Sequence, residues 1–372
     1  MNMLRKGGMI RREGLRHILL IQLGDIGDVV YSFPCARALK ENFPDAKVVL
    51  AVHEKAGGLA ECCPWIDQVI TVDKRRRSLW GELRYQGDFW RRVRGFHFDL
   101  AVDLRTSSRG SILAFMSGAA QRVGRYHPPC NWWRAPLFTH LLLPVGGLNQ
   151  YIAEYYLDTV SGYGINTEHK DPVMEPLPQH REAAERLLVE EGVPVARPML
   201  AVQPFSRWAY KEWGREKWVE LLRGLLEEFD LSVVLTGAPA ERARAQAITD
   251  GLDGRVYNLA GKTSIALLPA LLRRARVFLG LDSAGLHIAA AVGTPTVGLY
   301  GPSPAAIWAP RGADHTVITK NLPCVPCKDT GCQGGMVSRC LDELGVDEVL
   351  PTMRQALSGV GVRFTKGIAS DG

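Results

Sequence analysis

The stretch VFLGLDSAGLHIAAAVGTPTVGLYGPS, Val277 to Ser303, decides the fold. Val277 to Leu281 is a short apolar run closed by Asp282, the pattern of a buried parallel strand. Asp282-Ser283-Ala284-Gly285 is a small polar turn in which Ser283 can cap a helix. His287 to Val292 reads as a tightly packed helix that Gly293 closes. Thr294 to Leu299 is another strand, and Gly301-Pro302-Ser303 turns the chain again. Strand, small-residue turn, helix and strand make half of a doubly wound sheet. The turn after such a strand aims backbone N–H groups beyond the sheet edge, which favours a phosphate. Its small side chains let a ligand approach the backbone.

Working outward, the same alternation fills the chain. Arg16–Gln22 is a strand, Asp25–Asn42 a helix, and Lys47–Val52, Gln68–Val72 and Asp99–Leu104 are strands. Arg105–Gly118 reads as helix, Gln121–Gly124 as a short strand, Tyr126–Pro144 as a long loop, and Asn149–Gly162 as helix. Pro172, Pro176 and Pro178 mark a linker. The pattern then restarts, with strands Met199–Gln203 and Ser232–Thr236 and another near Val256. Helices Gln179–Glu191, Arg215–Glu228, Pro239–Asp250 and Ser264–Arg274 lie between and beside them. Strands alternating with helices predict parallel sheets. Two such sets predict two α/β domains, 1–175 and 176–372.

The 372 residues suit two cores, and 46% hydrophobic with 23% charged residues is ordinary globular composition. No apolar run reaches the ~18 residues of a membrane span. The basic first sixteen residues lack the apolar region of a signal peptide, so a cytoplasmic home is expected. A net charge of +6 does not indicate nucleic acid by itself.

Three places carry candidate chemistry. In Ile21-Gln22-Leu23-Gly24-Asp25-Ile26-Gly27-Asp28, two acids follow the first strand, and the third glycine of a dinucleotide fingerprint is missing at the required offset. Asp25 and Asp28 read either as helix-end capping groups or, for Asp28, as a general base. Gln203 to Trp213 follows another strand, and there Ser206 and Lys211 can neutralise a diphosphate or be a solvated loop. Asp282 and His287 form the third, where a histidine at a helix start serves as a structural partner or a neutral donor to phosphate.

Together these pieces resemble a known family. Gly27-Asp28-Val29 with Pro34 looks like its first motif, and Lys211-Glu212-Trp213 like its central lysine–aromatic motif. Leu259 to Ser264, Asp282-Ser283 with His287 to Ala291, and Leu299-Tyr300-Gly301-Pro302-Ser303 are similar to its C-terminal signature. The cysteine cluster opening with Pro323-Cys324-Val325-Pro326-Cys327 recurs in many members. The family is glycosyltransferase family 9, the ADP-heptose:lipopolysaccharide heptosyltransferases, and the resemblance runs from about Arg16 to Leu350. It implies a GT-B fold, two Rossmann-like doubly wound parallel-sheet domains facing a central cleft. The first would bind the acceptor and the second the nucleotide sugar.

The resemblance also implies roles. Asp28 would be the base, while Lys211, Glu241, Asp282 and His287 would contact the donor. Ser206, Ser283 and the backbone of Ala284, Gly285 and Leu286 would complete the phosphate grip. The sequence departs from the family at Phe205, where a small residue is usual, and at Ala284, where glycine usually follows the serine or threonine. A non-catalytic nucleotide-sugar-binding protein, or a transferase using another nucleotide sugar for an envelope polysaccharide, stays open.

The reaction expected is inverting and independent of metal, with no cofactor required. Arg105 and Arg109, after a strand, are candidates for an acidic glycolipid core acceptor. The basic, aromatic stretch Lys74–Arg94 reads either as a solvated helix face or as a contact to that glycolipid at the inner face of the cytoplasmic membrane. Cys324, Cys327, Cys332 and Cys340 read as reduced thiols, an occasional disulfide, or a structural zinc or iron–sulfur site. Cys35, Cys62, Cys63 and Cys130 read as packing residues.

Overall fold

A computed structural model describes residues 3–73, 78–126, 133–143 and 149–365. The chain divides into two compact units, Met1–Val173 and Met174–Gly372. The first holds strands β1 (Met3–Lys6), β2 (His17–Gln22), β3 (Lys47–His53), β4 (Gln68–Val72), β5 (Leu100–Asp103), β6 (Gln121–Arg125) and β7 (His140–Leu143). Its sheet runs β1-β7-β6-β5-β2-β3-β4. Every pairing is parallel except β1 with β7. Ile18 to Ile21 of β2 and Val48 to Val52 of β3 are fully buried. That is why these segments read as continuous apolar runs, since helices cover both faces of a parallel sheet.

The second unit holds β8 (Met199–Gln203), β9 (Ser232–Leu235), β10 (Val256–Asn258), β11 (Val277–Leu281), β12 (Thr296–Tyr300) and β13 (His315–Thr319). Its sheet runs β10-β9-β8-β11-β12-β13, all parallel. The core beneath it gathers Trp213, Trp218, Leu221, Leu225, Phe229, Val233 and Leu279. Trp213 and Trp218 meet edge to face at 5.0 Å, and the Trp213 indole N–H donates to the Leu344 carbonyl at 2.8 Å. The loop carrying Lys211 is therefore anchored two residues after it by a buried ring.

The structure departs from the sequence reading at five elements. The helix expected over Asp25–Asn42 is two helices, Ile26–Tyr31 and Phe33–Asn42. Pro34 stands in the first turn of the second, where its missing N–H removes no helix bond, and the Ser32 hydroxyl donates to the Val29 carbonyl at the joint. The loop expected from Tyr126 to Pro144 contains β7, and the N-terminal arm supplies β1. Both are short strands defined by backbone pairing, which side-chain periodicity does not report. Edge strand β13 was not expected because it is largely exposed and polar. The helix Val346–Gly359 was masked by its internal Pro351; it buries Val349, Met353 and Leu357.

Both sheets share one strand order. In each, the first strand of the doubly wound set has its second strand on one side and its fourth on the other. The chain leaves these two neighbours in opposite directions, at β2/β5 in the first unit and at β8/β11 in the second. Loops at such a switch point diverge and leave a crevice outside the strand ends.

Candidate functional site

In the first unit, Asp28 follows β2 and Arg105 follows β5, so both emerge at the switch point. Asp28 lies in the first turn of helix Ile26–Tyr31 and is largely buried. Its Oδ2 accepts from the Asp25 N–H at 2.9 Å and from Arg105 Nη1 at 2.6 Å. Its Oδ1 accepts from the Tyr156 hydroxyl at 2.7 Å. A carboxylate offers about four acceptor positions. Three are filled among the described residues. The contact with the Asp25 N–H ties Asp28 to the start of its own helix, and Arg105 and Tyr156 fix the rest of the carboxylate. Asp25, the N-cap residue of the same helix, accepts from Lys55 Nζ at 2.5 Å.

Gly24 makes this arrangement fit. A Cβ there would lie 2.4 Å from Asp28 Oδ2 and 2.6 Å from Arg105 Nη1. Tyr156 stands on helix Ile152–Ser161, and burial, then the Asp28 carboxylate, push its phenol well above the ordinary value. It therefore stays a donor. Partial burial works against the Arg105 charge, but Asp28, Tyr156, Asp25 and Tyr155 together outweigh it and the guanidinium pKa is raised. Arg105, expected as an acceptor contact, is in position the counter-ion of Asp28. Arg109 is exposed in the first turn of helix Ser108–Met116.

A second carboxylate shapes this loop. Asp103 ends β5, is fully buried, and accepts from the Arg105 N–H at 3.1 Å. Burial raises its carboxyl to about 7, against a lowering by the Arg105 and Thr106 N–H groups. Thr106 takes a left-handed φ of 50°, uncommon for a β-branched residue. Its Oγ1 accepts from the Arg125 N–H at 2.7 Å and its carbonyl from Arg134 Nη1 at 2.8 Å. Asp103 and these two contacts thus fix the turn from which Arg105 reaches Asp28.

In the second unit the same topological position carries different groups. Lys211 follows β8; Asp282, Ser283 and His287 follow β11. Lys211 Nζ donates to Asp282 Oδ2 at 2.5 Å, and His287 Nε2 lies 3.6 Å from Asp282 Oδ1. Asp282 and His287 are buried, and Lys211 is partly so. Ser283 occupies the N-cap position of helix Ala284–Ala291, but no helix N–H bonds to its side chain. Its hydroxyl accepts from Gln203 Nε2 at 3.4 Å, which ties the ends of β8 and β11 together. Gly285 is needed for that tie, because a Cβ there would lie 2.1 Å from Gln203 Oε1. Of the three N–H groups expected to grip phosphate, that of Leu286 donates to the Ser283 carbonyl at 3.2 Å. Those of Ala284 and Gly285 open the first turn.

The remaining expected donor contacts are held by the protein's own groups. Ser206 gives its N–H to Glu212 Oε1 at 3.2 Å. Glu241 accepts from the Ala238 N–H at 2.6 Å, and burial raises its carboxyl pKa. Phe205 is buried, with the Arg244 guanidinium 4.5 Å from its ring centroid. With Trp213, Trp218 and Arg244 it lines a cavity of about 360 Å³. Glu212 completes the cluster by an ion pair with Arg244.

Cys340 is buried, Cys327 half-buried, and Cys324 and Cys332 are exposed. Among the described residues, no group of three or more His, Cys, Asp or Glu side chains is arranged to hold a metal ion. Cys35, Cys62 and Cys63 are buried packing groups, as expected; Cys130 lies outside the described residues, as do Lys74 to Arg77. No described helix is long and apolar enough to cross a membrane. Tyr156 and Asp103 were missed in the sequence. Tyr156 lies 128 positions from Asp28, and a tyrosine in an amphipathic helix carries no mark of its partner.

Comparison with known proteins agrees with this fold. The model of glycosyltransferase family 9 (heptosyltransferase) matches residues 87–337. The lipopolysaccharide heptosyltransferase 3 of Escherichia coli is 28% identical over 289 residues, spanning 76% of this chain and 83% of that protein. The solved structure of a family 9 glycosyl transferase from Veillonella parvula superposes with a TM-score of 0.80 at 20% identity, covering 94% of this chain and 99% of that one. The Escherichia coli heptosyltransferase WaaC with ADP-2-deoxy-2-fluoro heptose gives 0.68 at 19%, covering 91% and 99%. The fold is the GT-B type, with two Rossmann-like units.

Proposed function

Since the chain belongs to glycosyltransferase family 9, we propose that it moves a heptose from ADP-heptose onto a hydroxyl of the lipopolysaccharide inner core, with inversion and without a metal ion. The observation that carries this reading is Asp28: a carboxylate at a switch point, held by three donors among the described residues. The names of the similar proteins support the substrate, being lipopolysaccharide heptosyltransferases in Escherichia coli and Pseudomonas aeruginosa. The WaaC structures with ADP and an ADP-heptose analogue support the donor.

The chemistry follows from the groups. Asp28 accepts the proton of the acceptor hydroxyl as its oxygen attacks the anomeric carbon. Base catalysis of this kind contributes roughly 10²–10⁴-fold. Arg105 and Tyr156 hold the carboxylate so that its remaining lone pair faces the substrate. The departing diphosphate gathers charge, and Lys211, His287, Ser283 and the first N–H groups of helix Ala284–Ala291 stabilise it. Asp282 would keep Lys211 and His287 in place and yield the ammonium to the phosphates when donor binds. The chain itself supplies the cationic and N–H donors, so transfer should persist in EDTA. Attack opposite the leaving group in a single displacement inverts the anomeric centre.

The test is transfer from ADP-heptose to a heptose-deficient core glycolipid, followed by mass spectrometry. Product with the wild type and none with Asp28→Ala, at unchanged ADP-heptose affinity, supports the assignment. Near-normal turnover by Asp28→Ala refutes the base role. A second donor is favoured by one feature, the buried Phe205 stacked with Arg244 beside the lysine loop. Comparing nucleotide sugars by thermal shift decides between ADP-heptose and another carrier.

A further inference from the structure

The helix Leu79–Arg94 has two unlike faces. Phe89 and Val93 are buried in the core of the first unit, with Tyr85 and Trp90 packed against it. On the opposite side, helical spacing aligns positions 80, 83, 84, 87, 91 and 94, and all six are exposed. Trp80 is 81% exposed and Leu83 57%. They stand less than one turn apart, so an indole and an isobutyl group share one outward patch. The Arg84 and Arg91 side chains are 88% and 79% exposed along the same stripe.

The charge of the chain is concentrated here. Residues 74–94 hold eight basic and two acidic side chains, a net +6 equal to that of the whole protein. The rest of the molecule is neutral in sum. Four of the eight, Lys74 to Arg77, precede the helix and lie outside the described residues. Within the helix, Arg84, Arg91, Arg92 and Arg94 outnumber Glu82 and Asp88. Asp88 pairs with Arg91 at 2.9 Å and stands 4.0 Å from Arg84, and Arg94 donates to the Met116 carbonyl.

We propose that the outer face of helix Leu79–Arg94 docks on an anionic lipid bilayer, with Trp80 and Leu83 entering the headgroup boundary and Arg84 and Arg91 meeting lipid phosphates. An acidic protein or a nucleic acid would satisfy the arginines. A bilayer also gives the adjacent indole and leucine an apolar medium beneath a charged surface. Basic side chains near such a surface each gain from its negative potential, and the gain is lost in salt. The inference goes beyond the transfer reaction, because vesicle binding is read without donor or turnover.

The test uses the full chain and flotation with vesicles of phosphatidylcholine alone or mixed one-to-one with phosphatidylglycerol. Binding to the mixed vesicles should be at least ~10-fold tighter than to neutral ones and should weaken in salt. Trp80→Ser with Leu83→Ser should lower it by about 10-fold or more, with an unchanged melting temperature because both side chains are exposed. Brominated lipid should quench wild-type tryptophan fluorescence, and Trp80→Phe should remove that quenching. Equal binding to both vesicles, undiminished binding by the double variant, or quenching that survives Trp80→Phe would overturn the proposal. So would a double variant that loses RNA binding and keeps vesicle binding.

Discussion

The two switch points are alike in topology and opposite in chemistry. Each lies between the first and fourth strands of a doubly wound set, and each first strand ends in glutamine, Gln22 or Gln203. At β2/β5 the central group is a carboxylate surrounded by donors: Arg105, Tyr156 and the Asp25 N–H. At β8/β11 the central carboxylate, Asp282, has the cation Lys211 on one oxygen and His287 near the other. The first set places three donors on its carboxylate among the described residues. The second keeps an ammonium beside a helix N-terminus, where an arriving anion can compete for it. Under the proposed function, one backbone frame would serve proton removal in one unit and charge neutralisation in the other, through the residues that follow its strands.

Substitutions should separate the two halves. Asp28→Ala is expected to lower transfer by roughly 10²–10⁴-fold while calorimetry finds donor affinity unchanged. A fall in donor affinity of similar size would mean the halves do not divide the work. Lys211→Ala should act in the other half, weakening donor binding by about 10- to 100-fold, the value of a charged hydrogen bond. Unchanged affinity in that variant would remove Lys211 from the phosphate grip.

Tyr156→Phe sharpens the comparison within the first unit. Loss of one hydrogen bond to a carboxylate should reduce kcat by about tenfold, with KM for the donor unmoved. A parallel rise in KM would indicate a general packing role instead.

The smallest effect on turnover at neutral pH is expected from Asp103→Asn, and its signature lies in stability. Burial raises the Asp103 carboxyl from its ordinary 3.8 to about 7, so the folded state holds this proton more tightly than the unfolded chain. Its contribution to stability is full below pH ~4 and is lost as pH rises toward 7, at up to about 1.4 kcal/mol per pH unit. Urea unfolding across that window should show the wild type losing stability with rising pH relative to Asp103→Asn. Parallel profiles would show that Asp103 is ionised throughout.

Much of the second unit was legible in the sequence. Strands Met199–Gln203 and Val277–Leu281 and helix Arg215–Glu228 appear with their expected bounds, and Lys211, Asp282 and His287 come together as their motif suggested. Those residues sit at strand ends in short local patterns, where a buried apolar run gives way to small and polar residues. At the switch point of the first unit the sequence marked Asp28 and Arg105 but not their pairing. The partners of Asp28 come from the turn after β5 and from a later helix, Ile152–Ser161.

The sequence by itself determined the alternation of strand and helix, the two-unit division and the strand-end motifs, because burial on both sheet faces imposes apolar runs that can be read locally. Only the tertiary structure decided that Arg105 belongs to Asp28, that Tyr156 donates to the other oxygen, and that Asp103 fixes the turn that carries Arg105. It also decided that Trp80 and Leu83 face outward. Partnership across 77 or 128 residues depends on which strands lie side by side, and nothing in local spacing carries that information.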